Sequence, residues 1–160
     1  MEKTLQLIST HKFANVVFDI ETKQHALVAT KSFEVKDELT SFSAGEMLSE
    51  PNYLTVQIGK NEHITLVPQF LQYVNHSCEP NVFFNTKSMK LVCIKKIEVG
   101  DELRFFYPSS EWEMAQSFIC NCGAQDCLKL IQDAKFLTKE TIEKHIFTDF
   151  IKQQLFLKQD

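Results

Sequence analysis

Short apolar runs broken by polar turns, rather than residues recurring at helical steps, dominate the first two thirds of the chain. NVVFDI (15–20), HALVAT (25–30), HITLVP (63–68), NVFF (81–84) and KLVCIKKI (90–97) are rich in Val, Ile, Phe and Thr, which suit a pleated surface. They predict a mainly β body of many short strands. NVFFNTKSMKLVCI reads as a hairpin, with Asn85, Thr86, Lys87 and Ser88 as the polar turn between two apolar runs. The period changes near the end of the chain. From Thr138, a residue of N-cap type, Ile142, Ile146, Phe147, Phe150, Ile151 and Leu155 recur at three- and four-residue steps, which predicts one helix over 138–160.

One internal echo adds to the β reading. SFEVKDELTSF (32–42) and KIEVGDELRFF (96–106) align without gaps, pairing Glu34 with Glu98, Asp37 with Asp101 and Leu39 with Leu103. Each reads as a strand end, a charged tight turn and a new strand. A single echo is too little for a repeat architecture, so these are taken as two similar corners of one sheet-rich body.

Composition narrows the class of protein. The length of 160 residues suits one domain with its own core plus trimmings. A hydrophobic fraction of 44% with 24% charged residues is that of a soluble globular protein, and no apolar run is long enough to span a bilayer. MEKTLQLISTHKF has neither the apolar core nor the cleavage site of a secretory signal, so the cysteines are expected to stay reduced, in the cytoplasm or nucleus. A net charge of -4 carries no footprint for general nucleic-acid binding; a lysine-bearing protein segment fits the sign better.

Chemistry concentrates in the cysteines. FICNCGAQDC places Cys120, Cys122 and Cys127 at C-x-C-x4-C spacing, with Gly123 free to turn the loop, a pattern suited to a tetrahedral zinc knuckle. Structural zinc takes four ligands, and Cys78 and Cys93 are the sulfur candidates for the fourth. Cys93 lies in KLVCIKK and reads as a core strand residue, whereas Cys78 lies in the turn NHSCEPN, where a side chain can meet an incoming loop. Cys78 and His76 could instead form a nucleophile pair, but such dyads normally unite residues distant in sequence. His11, His25, His63 and His145 carry no supporting pattern.

Three strings occur in a fixed order: NHSCEPN, then EVGDELRFFYP, then CNCGAQDC. This order resembles the SET-domain protein lysine methyltransferases with a zinc-binding post-SET segment, over about residues 13–137. The resemblance implies a β-clip-like fold of small sheets with a pseudoknot-like crossing, divided as a SET domain (1–110), a post-SET segment (111–137) and a C-terminal helix (138–160). It implies that Asn75 and His76, with Ala26, Leu27 and Tyr107, hold S-adenosylmethionine. Tyr107 lines the methyl-transfer channel as the catalytic residue, and Phe105 sits where Phe or Tyr tunes the number of methyl groups added. Cys78 then joins Cys120, Cys122 and Cys127 as the zinc ligands. In QHALVATK, Gln24 and Ala26 stand where the family usually has glycines, Gln72 stands where an arginine is common, and SFSAGEML matches only loosely.

The function implied is transfer of methyl groups to the lysine side chain of a protein or peptide. Two other readings stand beside it: a noncatalytic zinc-stapled domain that binds a peptide or partner, and methylation of a small amine.

Overall fold

In the computed structural model, which describes residues 4–158, the expected strand segments form a set of short strands rather than one large sheet. They are β1 (Leu5–Thr10), β2 (Ala14–Asp19), β3 (Gln24–Ala29), β4 (Glu38–Ser41), β5 (Ser43–Leu48), β6 (Val56–Gly59), β7 (Glu62–Val67), β8 (Asn75–His76), β9 (Val82–Asn85), β10 (Lys90–Cys93), β11 (Arg104–Phe105), β12 (Phe118–Ile119) and β13 (Leu130–Ile131). Three-stranded sheets run β1-β2-β3, β4-β10-β9 and β5-β7-β6, and β12 pairs with β13. The β9–β10 hairpin has the expected turn, with Asn85 Oδ1 accepting the N–H groups of Lys87 and Ser88. No helix among the described residues is long and apolar enough to cross a membrane.

The two echoed segments are two copies of one turn. Asp37 Oδ2 accepts the Glu34 N–H at 2.8 Å, and Asp101 Oδ2 accepts the Glu98 N–H at 2.8 Å. Lys36 and Gly100, the matching positions, both take positive φ. The corners also meet, because Phe33 and Ile97 form a β-bridge at their starts. An aspartate closing its own turn thus repeats where two strand ends are joined side by side.

The crossing lies between β8 and β11, the one parallel pair among the described residues, with Asn75 beside Arg104 and His76 beside Phe105. Ser77 N–H donates to Phe105 O, while Asn81 donates its N–H to Arg104 O, and its side-chain amide bonds Arg104 N–H and Glu102 O. Residues 75–81 therefore clasp 102–105 from both sides, which leaves the side chains of 104–107 aimed in different directions.

Leu27, Ile64, Leu91, Ile97 and Leu103 are fully buried in the main core, together with Cys93, as its strand position implied. Phe106 leaves that core for a second one with Ala134, Phe147, Ile151 and Leu155.

The expected single C-terminal helix is two: α1 (Lys139–Glu143) and α2 (Asp149–Lys158). Thr138 caps α1 as expected, accepting the Thr141 N–H, but a second cap, Thr148, accepts the Ile151 N–H at 3.3 Å and starts a new helix. Between them, Thr148 N–H donates to Ser109 O. Ile146 is 50% exposed while Phe147, Ile151 and Leu155 are buried, so the continuous apolar stripe breaks at this corner. Residues 159 and 160 of the expected helix lie outside the described residues.

Candidate functional site

The turn after β8 and the loop between β12 and β13 bring four sulfurs together. Cys78, Cys120, Cys122 and Cys127 have all their Sγ atoms within 4.8 Å of one another, and Cys93 is not among them. Gly123 takes φ +81, which turns the loop between its second and third cysteines. The Leu128 N–H points at Cys78 Sγ at 3.4 Å, a contact suited to a thiolate. Burial and the neighbouring thiols push Cys78 well up, and burial raises Cys120 to about 11. Burial acts the same way on Cys122, but hydrogen bonds from backbone groups of Cys78 and Ala124 and from nearby thiols outweigh it and bring it to about 6. Four thiols at such distances cannot all ionise without a cation between them.

His76 does touch Cys78, yet the pair is poorly made for nucleophilic attack. Its Nδ1 accepts the Tyr107 N–H at 3.1 Å, so the ring proton sits on Nε2, 3.4 Å from Cys78 Sγ. Burial, followed by the charges of His145 and Arg104, lowers the ring to about 3, too weak for a base at neutral pH. Both ring nitrogens are engaged within the protein, and the ring packs edge-on against Tyr107 and Phe118.

Phe105 and Tyr107 line one small apolar cavity of about 90 Å³ with Leu71, Val74 and Phe84. Their rings stand 4.7 Å apart. Tyr107 bears its hydroxyl without a hydrogen-bond partner among the described residues, and burial, then the charges of Glu111 and Glu102, push it up to about 12. Phe106, as strand alternation requires, faces away and stacks on His145 at 3.8 Å.

On the other side of the crossing the surroundings are polar. Asn75 donates Nδ2 to His25 O of β3 at 2.7 Å and to Glu102 Oε2 at 3.3 Å, while Glu102 Oε1 pairs with Arg104 at 3.0 Å. That fixes the Asn75 amide and leaves its Oδ1 as a free acceptor. A cavity of about 360 Å³ is lined by its neighbours Glu102 and Arg104 together with Asn81, Cys122 and Gly123. Of the β3 residues, Ala26 is half-buried and Leu27 is wholly in the core, its carbonyl taken by Leu103 N–H. Gln24 is exposed at the strand's start, opposite Asp19.

The SET domain family model matches residues 43–108, which contain β8, the cysteine turn and Tyr107. Methyltransferase flvH of Aspergillus flavus is 34% identical over 150 residues, covering 87% of this chain and 84% of that protein. The chain belongs to the SET-domain methyltransferase family. A second SET relative, the H3 lysine-36 specific histone-lysine N-methyltransferase of Candida albicans, is 28% identical over 100 residues, 56% of this chain and 12% of that protein. The fold is also that of KRYPTONITE, solved in complex with mCHG DNA and SAH: the TM-score is 0.52 at 18% identity, over 81% of this chain and 29% of that one.

Four residues that shape this site carried no assigned role in the sequence. His145 joins the C-terminal segment to the cysteine turn, with Nε2 3.0 Å from Cys78 O and Nδ1 2.9 Å from Thr141 O. Arg104 and Glu102 flank Asn75 through pairings that depend on the crossing. Glu111 is 6% exposed and lines the apolar cavity. Its signal was legible, a carboxylate amid YPSSEW four residues beyond Tyr107, but nothing in the local pattern says that it is buried.

Proposed function

We propose that this SET domain is an S-adenosylmethionine-dependent methyltransferase whose acceptor is a lysine-type primary amine of a protein or peptide. The observation that carries the proposal is the placing of Phe105 and Tyr107 on a narrow apolar cavity at one side of the crossing, with the Asn75, Glu102 and Arg104 cluster at the other. The cluster suits the amino-acid end of the cofactor, since Asn75 Oδ1 and Glu102 can accept from an ammonium and Arg104 can donate to a carboxylate. Gln24 is exposed, so its side chain need not fill that space. The bound cofactor supplies a sulfonium-activated methyl group. The chain's own work is alignment: apolar walls favour the neutral amine, and the Tyr107 hydroxyl, free of other partners, orients it. Aromatic faces attract the cationic product.

The four cysteines fit structural zinc. Zn–S bonds of about 2.3 Å make a tetrahedron with edges of about 3.8 Å, within reach of sulfurs this close. Zinc there would staple the loop between β12 and β13 to the turn carrying Asn75 and His76, and supply no reacting group. The net charge of -4 suits a basic protein segment rather than nucleic acid.

The test is transfer of labelled methyl from S-adenosylmethionine to a panel of lysine-bearing peptides by the zinc-loaded protein, with calorimetry of cofactor binding alongside. Label in the lysine side chain is the expected result. Failure of the zinc-loaded protein to bind the cofactor would overturn the proposal and leave a noncatalytic peptide-binding domain.

A further inference from the structure

Glu111 sits where a structural carboxylate has little reason to be. It is 6% exposed, has no ion-pair partner among the described residues, and lines the cavity that holds Phe105 and Tyr107. Both of its side-chain hydrogen bonds fall on one oxygen: Oε2 accepts from the Gln57 N–H at 3.0 Å and from the Ser110 hydroxyl. Oε1 has no hydrogen-bond partner among the described residues. A glutamine would accept the same two bonds without a buried negative charge, so anchoring β6 to this segment does not require an ionisable group.

We propose that Glu111 accepts the proton of the substrate's ammonium, so that the small cavity admits a cationic alkylamine and delivers it neutral beside Tyr107. This deepens the methyltransferase reading and rests on it for the transfer step. In the proton step an N–H bond of the ammonium breaks and an O–H bond forms on Glu111. A cation and an anion become two neutral groups, which apolar walls favour. The nitrogen lone pair then forms the new N–C bond as the C–S bond of the sulfonium donor breaks, with the electron pair left on sulfur. Glu111 returns its proton to solvent through the side of the cavity lined by Tyr53, which is 83% exposed.

The surroundings suit that duty. Burial pushes the Glu111 carboxyl up to about 7, so it is a stronger base than an ordinary glutamate and is ionised just above neutrality. Among the described residues, the titratable side chains lining the cavity are Glu111, Tyr107 and Tyr53, and no Lys, Arg or His lines it. Tyr107 stays neutral throughout the working range, its hydroxyl pushed up to about 12. The group able to exchange a proton with an amine near pH 7 is therefore Glu111.

Glu111→Gln tests the proposal in two arms. In wild type, kcat/KM for a lysine peptide should rise with pH through about 7 and level off, whereas the variant should lose about 100-fold at pH 7.5 and keep rising toward the lysine pKa of about 10.4. In the second arm, without cofactor, n-butylamine and 1-butanol are titrated into both proteins at pH 8. Wild type should prefer the amine over the alcohol about tenfold more than the variant does. An unchanged pH profile, or equal preference in the two proteins, would overturn the assignment. If wild type transfers no methyl group to any amine, the methyltransferase reading fails, and the amine arm still decides whether the cavity binds a cation through Glu111. Equal circular dichroism spectra would keep both arms free of misfolding.

Discussion

Nδ1 of His76 accepts the backbone N–H of Tyr107 at 3.1 Å, and the same ring turns Nε2 toward Cys78. One imidazole thus links the tyrosine on the cavity to the cysteine cluster, and its tautomer is set by the bond to Tyr107. His76→Ala should weaken zinc binding about 10- to 100-fold, by loss of the donor to Cys78. It should also cost about 1–3 kcal/mol of stability, since the Tyr107 N–H is left buried without an acceptor. Competition against a chromogenic chelator and thermal melting measure the two effects; unchanged zinc affinity would separate His76 from the cluster.

Cys122→Ser should lower the zinc content from one ion per chain to none and loosen more than its own loop. The reason is His145, which bonds Cys78 O at 3.0 Å and ties the segment between α1 and α2 to the turn that carries Cys78. Metal analysis with hydrogen exchange is the measurement. Protection should fall over 118–131 and also over 139–158, because site closure and local folding are coupled. Protection lost in the first stretch alone would mean that His145 does not transmit the change.

How far the sequence reached depended on how local the cause was. The hairpin at Asn85–Ser88 and the two aspartate-closed corners were legible because each turn is made by side chains within it. The three clustered cysteines were legible by spacing, and Cys78 was one of two sulfur candidates for the fourth place, favoured by its turn position and then by the resemblance. The break of the C-terminal helix was missed because apolar steps continue across it, while the cause lies in Thr148 as a second cap and in Ser109, far away in sequence. The partners of Asn75 were hidden likewise, since Glu102 and the His25 carbonyl reach it only once the crossing is formed. Leu27, expected at the cofactor, has its side chain wholly in the core, because its strand alternation turns it inward.

Glu111→Gln should stabilise the protein in a pH-dependent way. Folding raises this carboxyl from the usual 4.5 to about 7, so the folded state holds a proton that the unfolded state has already released. Wild type therefore loses stability as pH rises from about 4.5 to about 7, by about 3 kcal/mol in all, and the glutamine variant does not. Urea unfolding at pH 4 and pH 8 should give nearly equal stabilities at the lower pH and a more stable variant at the higher one. A difference independent of pH would mean that the carboxyl is not perturbed.

Phe105→Tyr should restrict the extent of methylation. Phe105 shares the cavity of about 90 Å³ with Tyr107, and the rings are 4.7 Å apart. A hydroxyl added there takes room from a methylated nitrogen and offers it a hydrogen bond that a further transfer would have to break. Mass spectrometry of a lysine peptide under saturating cofactor should show multiply methylated product for wild type and mainly the singly methylated form for the variant. Identical product distributions would take Phe105 out of this role.

The C-terminal helices should hold the cavity from behind. Ile151, Phe147 and Leu155 bury themselves against Phe106, which lies in the chain between the two residues that line the cavity. Phe106 cannot shift without carrying Phe105 and Tyr107 with it, and its ring is held by stacking on His145 within the cluster to which α2 contributes Ile151 and Leu155. Ile151 is fully buried, so Ile151→Ala removes packed volume and should cost about 2–5 kcal/mol, lowering the melting temperature by roughly 5–15 °C. Turnover should fall at temperatures well below the melt, because a loosened Phe106 lets the channel walls move. Phe156, 75% exposed on the same helix, is the control: Phe156→Ala should change stability by no more than about 0.5 kcal/mol and leave turnover alone. Equal turnover in both variants at low temperature would show that α2 stabilises the chain without shaping the channel.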